Sequence, residues 1–462
     1  MPIKIDSKLT PKKLVPHIER MFELSGRKIL GIEKSWKPSA GTPVFTVKGK
    51  YTSRGWIEWT QGFQYGSALL QFDAMGDERF LEIGRRGTVE RMASHVSHIG
   101  VHDHGFNNIS TYGNLWRLMR EGKIPFNEHE KNFYELALKV SGAVQAARWT
   151  SLGKRGGFIH SFNGAHSLFV DTIRSCRSLA VAHQLGHVLM GEQDAKLSLL
   201  NRLISHVSNT AVFNVYLGHH RDAYDVPGRT AHEAIFNTKS GEFRCPNSQQ
   251  GYSPFSTWTR GLAWAICGFA EQMEFLLSVP HSDLEHVKRK VILHSLELFC
   301  RTTAEFYLKN SCLDGIPMWD TGAPNLHRLP ANYLNKPSDP YNKFEPVDSS
   351  AAAIAAQGLI RLGNYLSANG DKKSSSRYRQ AGLTIARTLF SEPYLSTDPK
   401  HQGLLLHSVY HRPNGWDYVA PGQKIPNGES SMWGDYHLRE LALLIIREAR
   451  GEHYLTFFGG VQ

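Results

Sequence analysis

The chain has 462 residues, 41% of them hydrophobic and 21% charged, and a formal net charge of +11. That length admits two to four ordinary domains or one large repeat-like one. Five cysteines without a CxxC pair, and no apolar run long enough to span a membrane, exclude a disulfide framework and a membrane anchor. The N-terminus has no apolar leader segment, so a cytoplasmic, reducing location is expected. Lys and Arg are dispersed and no zinc-finger, RRM or KH pattern occurs, which favours a focused anion site over nucleic acid.

In chain order, Thr10 caps a first helix with Pro11 at its first position and Leu14, Ile18, Met21 and Phe22 on one face. Pro16 marks a kink or a later start, and Gly26 is expected to end the helix. A Gly-rich connection to about Trp56 follows, with a short strand at 44–47. Helices are then predicted in pairs at 62–75 and 77–98, 107–121 and 127–149, 167–187 and 193–210, 256–278 and 282–309, and 349–369 and 373–391. A last helix at 431–449 pairs with the first.

Three breaks repeat one pattern: Ala74-Met-Gly-Asp-Glu, Met190-Gly-Glu-Gln-Asp and Ala368-Asn-Gly-Asp-Lys. Each ends a helix with Gly and starts the next with an acid suited to a helix N-terminus. Twelve helices in six hairpins predict an all-α toroid, an (α/α)6 barrel, with an open α-solenoid as the alternative. Residues 1–55 are expected to belong to the barrel and 56–462 to form its catalytic body, a single domain. Long loops at 211–255 and 311–348 are where function is expected.

Polar and aromatic clusters stand at the start of each inner helix: Trp59-Thr-Gln-Gly-Phe, His102-Asp-His-Gly-Phe, Phe169-Val-Asp-Thr, Trp258-Thr-Arg-Gly, Asp348-Ser-Ser-Ala and Glu429-Ser-Ser-Met-Trp-Gly-Asp. In a ring, six helix N-termini face one bowl, which favours an anion. Ser256 or Thr257 is expected to cap the fourth inner helix, placing Trp258, Arg260 and Trp264 in its first two turns. Indoles there stack on sugar rings and the guanidinium grips a carboxylate or sulfate, unless both Trp are core.

Two carboxylates stand out. Asp103 lies between His102 and His104, and Asp171 follows Leu168-Phe169-Val170. The apolar setting predicts a raised pKa for Asp171 and an acid role, with helix capping as the alternative for either aspartate. Asp348 and Asp435 read as caps or ring-closing partners, and Asp320 stays open. No HExxH, Cys/His spacing, GxSxG, P-loop or dinucleotide fingerprint occurs, so neither metal nor cofactor is expected.

These motifs resemble the unsaturated glucuronyl hydrolases, glycoside hydrolase family 88. The resemblance rests on Trp59-Thr-x-Gly-Phe, His102-Asp-x-Gly-Phe, Asp171, His232, Gln250-Gly-Tyr, Trp258-x-Arg-Gly-x-Ala-Trp264, Gly315-Ile-Pro-x-Trp-Asp320, Asp348-Ser-Ser-Ala-Ala-Ala-Ile-Ala-Ala and Glu429-Ser-Ser-x-Trp-Gly-Asp-Tyr436, from about residue 56 to 446. It implies an (α/α)6 barrel that removes a 4,5-unsaturated uronic acid from the non-reducing end of lyase-generated oligosaccharides. The C4=C5 enol ether is hydrated and the anomeric carbon is not attacked. By motif, Asp171 is then the acid/base and Asp103 its partner. Trp59, His232, Gln250, Trp258, Arg260 and Trp264 bind an anionic unsaturated oligosaccharide. Neither nucleic acid nor membrane is implied, and the chain is expected as a monomer or homodimer.

The chain departs from the family pattern at Thr172-Ile-Arg174, where many members carry a Met- and Asn-containing run, and in an insertion from Gly218 to Arg229. Arg174, Arg221 and Arg229 are therefore candidates for a sulfate or second uronate. The alternatives are a rhamnogalacturonyl hydrolase of the same fold, a conventional two-carboxylate glycosidase, and a carbohydrate-binding toroid without catalysis.

Overall fold

The structure is a computed structural model that describes residues 2–54 and 59–459; the boundary expected near Trp56 lies outside them. Among the described residues twelve helical rods form two concentric rings, an (α/α)6 barrel. The inner ring comprises Gln61–Met75, the stacked segments His104–Asn107, Ile109–Gly113 and Asn114–Arg120, the pair Thr172–Ser175 and Arg177–Gln184, Thr259–Ser278, Ser349–Ala368 and Met432–Arg450. Glu78–Arg91, Glu128–Ala147, Leu199–Asn214, His286–Asn310, Lys372–Leu389 and Pro11–Ser35 surround it. Pro11–Ser35 packs on Met432–Arg450, so the first rod and the last close the ring.

Burial separates the rings. The Thr259–Ser278 helix is buried at every position from Thr259 to Leu276, and the Ser349–Ala368 helix nearly so. Outer helices bury one stripe and turn the rest to solvent. Small residues allow the inner helices to touch. A Cβ on Gly358 would lie 2.7 Å from the backbone nitrogen of Cys267, and one on Gly105 would lie 2.1 Å from the Ser175 carbonyl oxygen.

Two predicted breaks form as expected. Gly76 and Gly370 take φ of +72° and +89°, and Asp77 and Asp371 cap the next helices, accepting from the backbone N–H of Arg79 and Ser374. The third break differs: Glu192–Asp194 is a 3-10 turn with Gln193 and Asp194 left-handed, flanked by the paired strands Leu189–Met190 and Lys196–Leu197, and the outer helix starts only at Leu199. Gly26 does not end the first helix, which continues to Ser35. Its glycine serves packing, because a Cβ there would meet Phe80 at 3.0 Å. Pro16 sits one turn in and forfeits a single intrahelical bond.

The strand expected at 44–47 is present as Phe45–Val47, paired antiparallel with Lys50–Thr52. A three-stranded antiparallel sheet was not anticipated. Ser167–Phe169 pairs with Glu233–Phe236, which pairs with Phe243–Asn247. It replaces the start of the helix expected at 167, and helix begins only at Thr172.

Candidate active site

The inner helices bring their N-terminal ends together. The Trp59 and Trp433 rings lie 5.0 Å apart, Phe106 and Trp264 4.9 Å, and Arg260 reaches Asp348 at 3.1 Å. These groups surround a narrow cleft of about 50 Å³ lined by Trp59, Asp103, Asp171, Gln250, Trp258, Arg260 and Trp264, with His102 and three Phe rings. The cleft opens into a cavity of about 270 Å³, and the two share Trp59, Asp103, Phe162 and Gln250. All eight residues expected at the site are therefore gathered, with His232 3.5 Å from Asp171.

Asp103 and Asp171 stand at the starts of neighbouring inner rods, and neither side chain caps its helix. The capping alternative fails for both. His102 lies between them, its Nε2 3.3 Å from Asp171 Oδ2 and 3.6 Å from Asp103 Oδ1. The backbone carbonyl of His102 is fixed by Gln145 Nε2 at 2.6 Å and Ser175 Oγ at 2.8 Å, and the Ser175 hydroxyl also accepts from the Gly105 N–H.

The sheet supplies the other partner of Asp171. Val170 N–H donates to the His232 carbonyl at 2.9 Å, continuing the ladder and setting the two residues side by side. His232 Nδ1 accepts from the N–H groups of Gln249 and Gln250, at 3.0 and 3.3 Å. The ring proton is thereby placed on Nε2, which faces Asp171. Phe169 and Trp258 hold the imidazole at 4.3 and 4.8 Å between ring centres.

These neighbours overturn the raised pKa expected for Asp171. Burial does push it up, but the hydrogen bonds and charges of His102 and His232 outweigh burial and hold the carboxyl well below its usual range. Burial lowers His102, whereas Asp103 and Asp171 raise it further, so its pKa lies above the ordinary 6.5. The apolar sequence neighbours of Asp171 are real, yet both imidazoles come from other rods and loops. One nitrogen and two carboxylate oxygens of this trio lie within 4.8 Å of one another, a donor set a cation can use. Nε2 is turned to both carboxylates, at hydrogen-bond distance from Asp171 and slightly further from Asp103.

Arg260 is not the open anion contact expected. Its guanidinium is sandwiched between Trp258 and Trp433 at 4.7 and 4.9 Å, and is bound to Asp348, the carbonyls of Val409 and Tyr410, and Gln250 Oε1. It orients Gln250. Nor does the fourth inner helix begin as expected: Trp258 is its cap residue, without a side-chain cap, and Thr257 N–H donates to Thr321 Oγ1. Asp320, buried and raised to about 6 by that burial, accepts from the Tyr252 N–H and fixes the Gln250 turn.

Asp348 caps its helix through the N–H groups of Ser350 and Ala351. Asp435 accepts from Leu404 N–H, Leu405 N–H and the Tyr51 hydroxyl, joining three segments at the ring closure. Arg174, Arg221 and Arg229 line neither cleft nor cavity. Arg174 is fully buried on the barrel axis against Glu271 and Glu440, at 2.9 and 2.8 Å. Arg221 and Arg229 both pack on the Tyr216 ring, at 3.8 and 3.6 Å, and order the inserted loop.

Sequence reasoning missed Phe162, Tyr410, His411 and Trp416 on the cavity wall. For the last three the one signal was aromatic residues inside a Pro- and Gly-containing stretch, Tyr410-His-Arg-Pro-Asn-Gly-Trp416.

No family model matches the chain. An unsaturated glucuronyl hydrolase of Bacillus sp. (strain GL1) is 24% identical over 418 residues, 88% of this chain and 90% of the relative. The chain resembles the unsaturated glucuronyl hydrolases. An unsaturated chondroitin disaccharide hydrolase of Streptococcus agalactiae serotype III (strain NEM316) is 21% identical, covering 97% of this chain and 98% of the relative. A crystal structure of an unsaturated glucuronyl hydrolase specific for heparin superimposes with a TM-score of 0.68 at 19% identity, over 94% of this chain and 98% of that one. The likeness thus extends over most of the chain.

Proposed function

We propose that the chain is a glycoside hydrolase that removes a 4,5-unsaturated uronic acid from an anionic oligosaccharide by hydrating the C4=C5 enol ether, with Asp171 as acid/base and Asp103 as its partner. The observation that carries these roles is the single imidazole of His102 held against both carboxylates at the floor of the cleft.

In the resting enzyme His102 is the cation and Asp171 the anion. Substrate entry expels water and brings a uronate carboxylate, and both disfavour the separated charges. The proton moves from His102 Nε2 to Asp171 Oδ2, 3.3 Å away. Asp171 then delivers it to C4. Positive charge develops at C5 and the ring oxygen, where the Asp103 carboxylate stabilises it. Water adds to C5 and gives its proton to Asp171, whose anion is stabilised by His232 Nε2–H at 3.5 Å. The hemiketal at C5 opens to a ketone, which leaves a hemiacetal at C1; this collapses to an aldehyde as the C1–O bond to the aglycone breaks, and the aglycone leaves as an alcohol. One water is consumed and the acid is regenerated.

A conventional glycosidase sets its carboxylates on opposite sides of the scissile bond. Here both contact one imidazole, which suits a single proton-transfer centre. The test is ultraviolet spectroscopy: the absorbance of the conjugated C=C–COO⁻ group falls as unsaturated disaccharide is consumed, and the saturated analogue is not cleaved. Equal cleavage of the saturated analogue refutes the hydration mechanism. We place the enzyme in a reducing compartment, in keeping with cysteines that are all unpaired. Among the described residues no helix is long and apolar enough to cross a membrane.

A further inference from the structure

The floor of the cleft offers more than a proton path. His102 Nε2 lies 3.3 Å from Asp171 Oδ2 and 3.6 Å from Asp103 Oδ1, and one donor atom from each of the three residues falls within 4.8 Å of the other two. A tetrahedral ion with bonds of about 2.0–2.2 Å holds neighbouring ligand atoms about 3.3–3.6 Å apart. Two edges of such a tetrahedron are thus set by the protein alone. All three residues are buried, and the cleft of about 50 Å³ opens into the cavity of about 270 Å³. That opening gives an aqueous ion a way in and leaves a fourth ligand position to water.

The surroundings hold these donors as a ligand shell requires. The His102 backbone is pinned by Gln145 and Ser175, and His232 Nε2 stands 3.5 Å from Asp171 Oδ1, with its own Nδ1 taken by two backbone N–H groups. His102 Nδ1 is buried without a hydrogen-bond partner. No contact at Nδ1 therefore pins the proton to Nε2, which can turn a lone pair to an ion while Nδ1 keeps the proton of the neutral ring. Among the described residues Arg260 is the one Lys or Arg lining the cleft, and it is committed to Asp348, two carbonyls and Gln250. An imidazolium and two carboxylates leave the trio with a net negative charge, whereas a neutral imidazole, two carboxylates and a dication sum to zero. Burial favours the neutral assembly.

We propose that His102, Asp103 and Asp171 also form a reversible site for a divalent transition cation, Zn²⁺ foremost, and that the bound ion blocks turnover. Binding replaces the Nε2 proton, which passes to solvent, with a metal–nitrogen bond, and each aspartate supplies one oxygen. The imidazole selects against Mg²⁺ and Ca²⁺, which take six or more oxygen ligands. The ion occupies the lone pair and the charges that proton delivery to C4 requires, so the loaded enzyme is idle. The binding half stands on the geometry, and the inhibition half rests on the uronate-hydrolase reading.

Isothermal titration of the metal-free full chain with ZnCl₂ should show one site per chain in the low micromolar range. Co²⁺ in its place should give the intense visible bands of a four-coordinate ion. Asp103→Asn and His102→Gln should each weaken that site by at least about tenfold, since loss of an outer-shell partner alone costs that much, and should remove the Co²⁺ bands. Thermal melts establish that each variant is folded. In turnover of an unsaturated disaccharide by the parent, Zn²⁺ should raise KM with kcat unchanged, EDTA should restore the rate, and Mg²⁺ at the same concentration should have no effect.

Tight binding that survives both substitutions puts the ion elsewhere and overturns the proposal, as does a folded parent that binds neither Zn²⁺ nor Co²⁺. Should a variant unfold, the parent alone decides: inhibition by Zn²⁺ that added sugar does not relieve overturns a site at the cleft floor. A parent that binds Zn²⁺ at this site but consumes no unsaturated disaccharide refutes instead the proposed function and leaves the site standing.

Discussion

Replacing Arg260 by Ala separates two roles for this guanidinium. If it gripped the substrate directly, the variant would fold normally and lose affinity for charged sugars. The structure makes it a buried strut: it neutralises Asp348 at 3.1 Å, donates to two backbone carbonyls and to Gln250, and is stacked between two indoles. Breaking a buried ion pair from one side costs about 3–5 kcal/mol. Asp348 retains bonds from Ser350 N–H, Ser350 Oγ and Val409 N–H, which favours the lower end of that range. At roughly 2 cal/mol/K of unfolding entropy per residue, a two-state chain of 462 residues loses about 1 °C of Tm per kcal/mol, so a fall of about 3–4 °C is expected. Differential scanning calorimetry measures that fall, and kinetics on the unsaturated disaccharide should show kcat reduced along with a higher KM, because Gln250 loses its anchor. Asp348→Asn in the Arg260→Ala background should recover part of the stability by removing the stranded charge. An unchanged Tm with a purely KM-based defect, confined to charged substrates, would refute the strut and restore direct anion binding.

Asp171→Asn should reduce kcat by about a thousandfold, within the range for loss of a general acid, and should lower the melt near neutral pH only by the stabilisation its charge draws from His102 and His232, because the side chain caps no helix. A fall in the melt that persists at acid pH, where the parent has lost that contribution too, would show a further structural role. The raised pKa of His102 sets a pH limit: kcat/KM should decline on the alkaline side as pH rises through a value above 6.5, and His102→Gln should move that limb. The same shifts bear on stability. His102 contributes stabilisation that is full below its unfolded value, about 6.5, and is lost as pH rises through the raised folded value. Asp171 contributes above its unfolded value, about 3.9, and loses its contribution as pH falls toward its depressed folded value. Thermal melts across pH should therefore be highest between these limits, and loss of the acid-side slope in Asp171→Asn would confirm its source. Gly105→Ala places a Cβ 2.1 Å from the Ser175 carbonyl oxygen and must separate the second and third inner rods. A destabilisation of about 1–3 kcal/mol, with loss of activity, is expected from denaturant titration; neutral behaviour would show that the two rods can part without moving His102.

The barrel was legible because helical hairpins write their period locally: Gly at a C-terminus, an acid at the next N-terminus, and inner helices apolar on every face. Asp77 and Asp371 cap as expected for this reason. The site residues were legible as polar clusters at the inner starts. What was not legible depends on long-range contact. Asp171 follows Leu168, Phe169 and Val170, and only the fold brings His102 and His232 to it from residues 69 before and 61 after, reversing the direction of its pKa. Arg174 and Arg260 look available in sequence because a guanidinium does not announce its partner; Glu271 lies 97 residues from Arg174 and Asp348 lies 88 from Arg260. The 167–169 strand was misread as helix because a three-residue segment, Ser-Leu-Phe, carries no period of its own.

The facing of Trp59 and Trp433 at 5.0 Å has a consequence for biosynthesis. Trp59, on the wall of the cleft, is made early by the ribosome, and the buried indole that backs it almost last, 374 positions further on. A nascent chain long enough to carry Asp103, Asp171 and His232 still lacks the indole that backs Trp59 and Arg260, so turnover should switch on abruptly once the final inner rod docks against the first. Fragments ending before residue 432 should be inert even when helical, and adding the missing rod in trans should restore the hollow only if the seam can close without a covalent link.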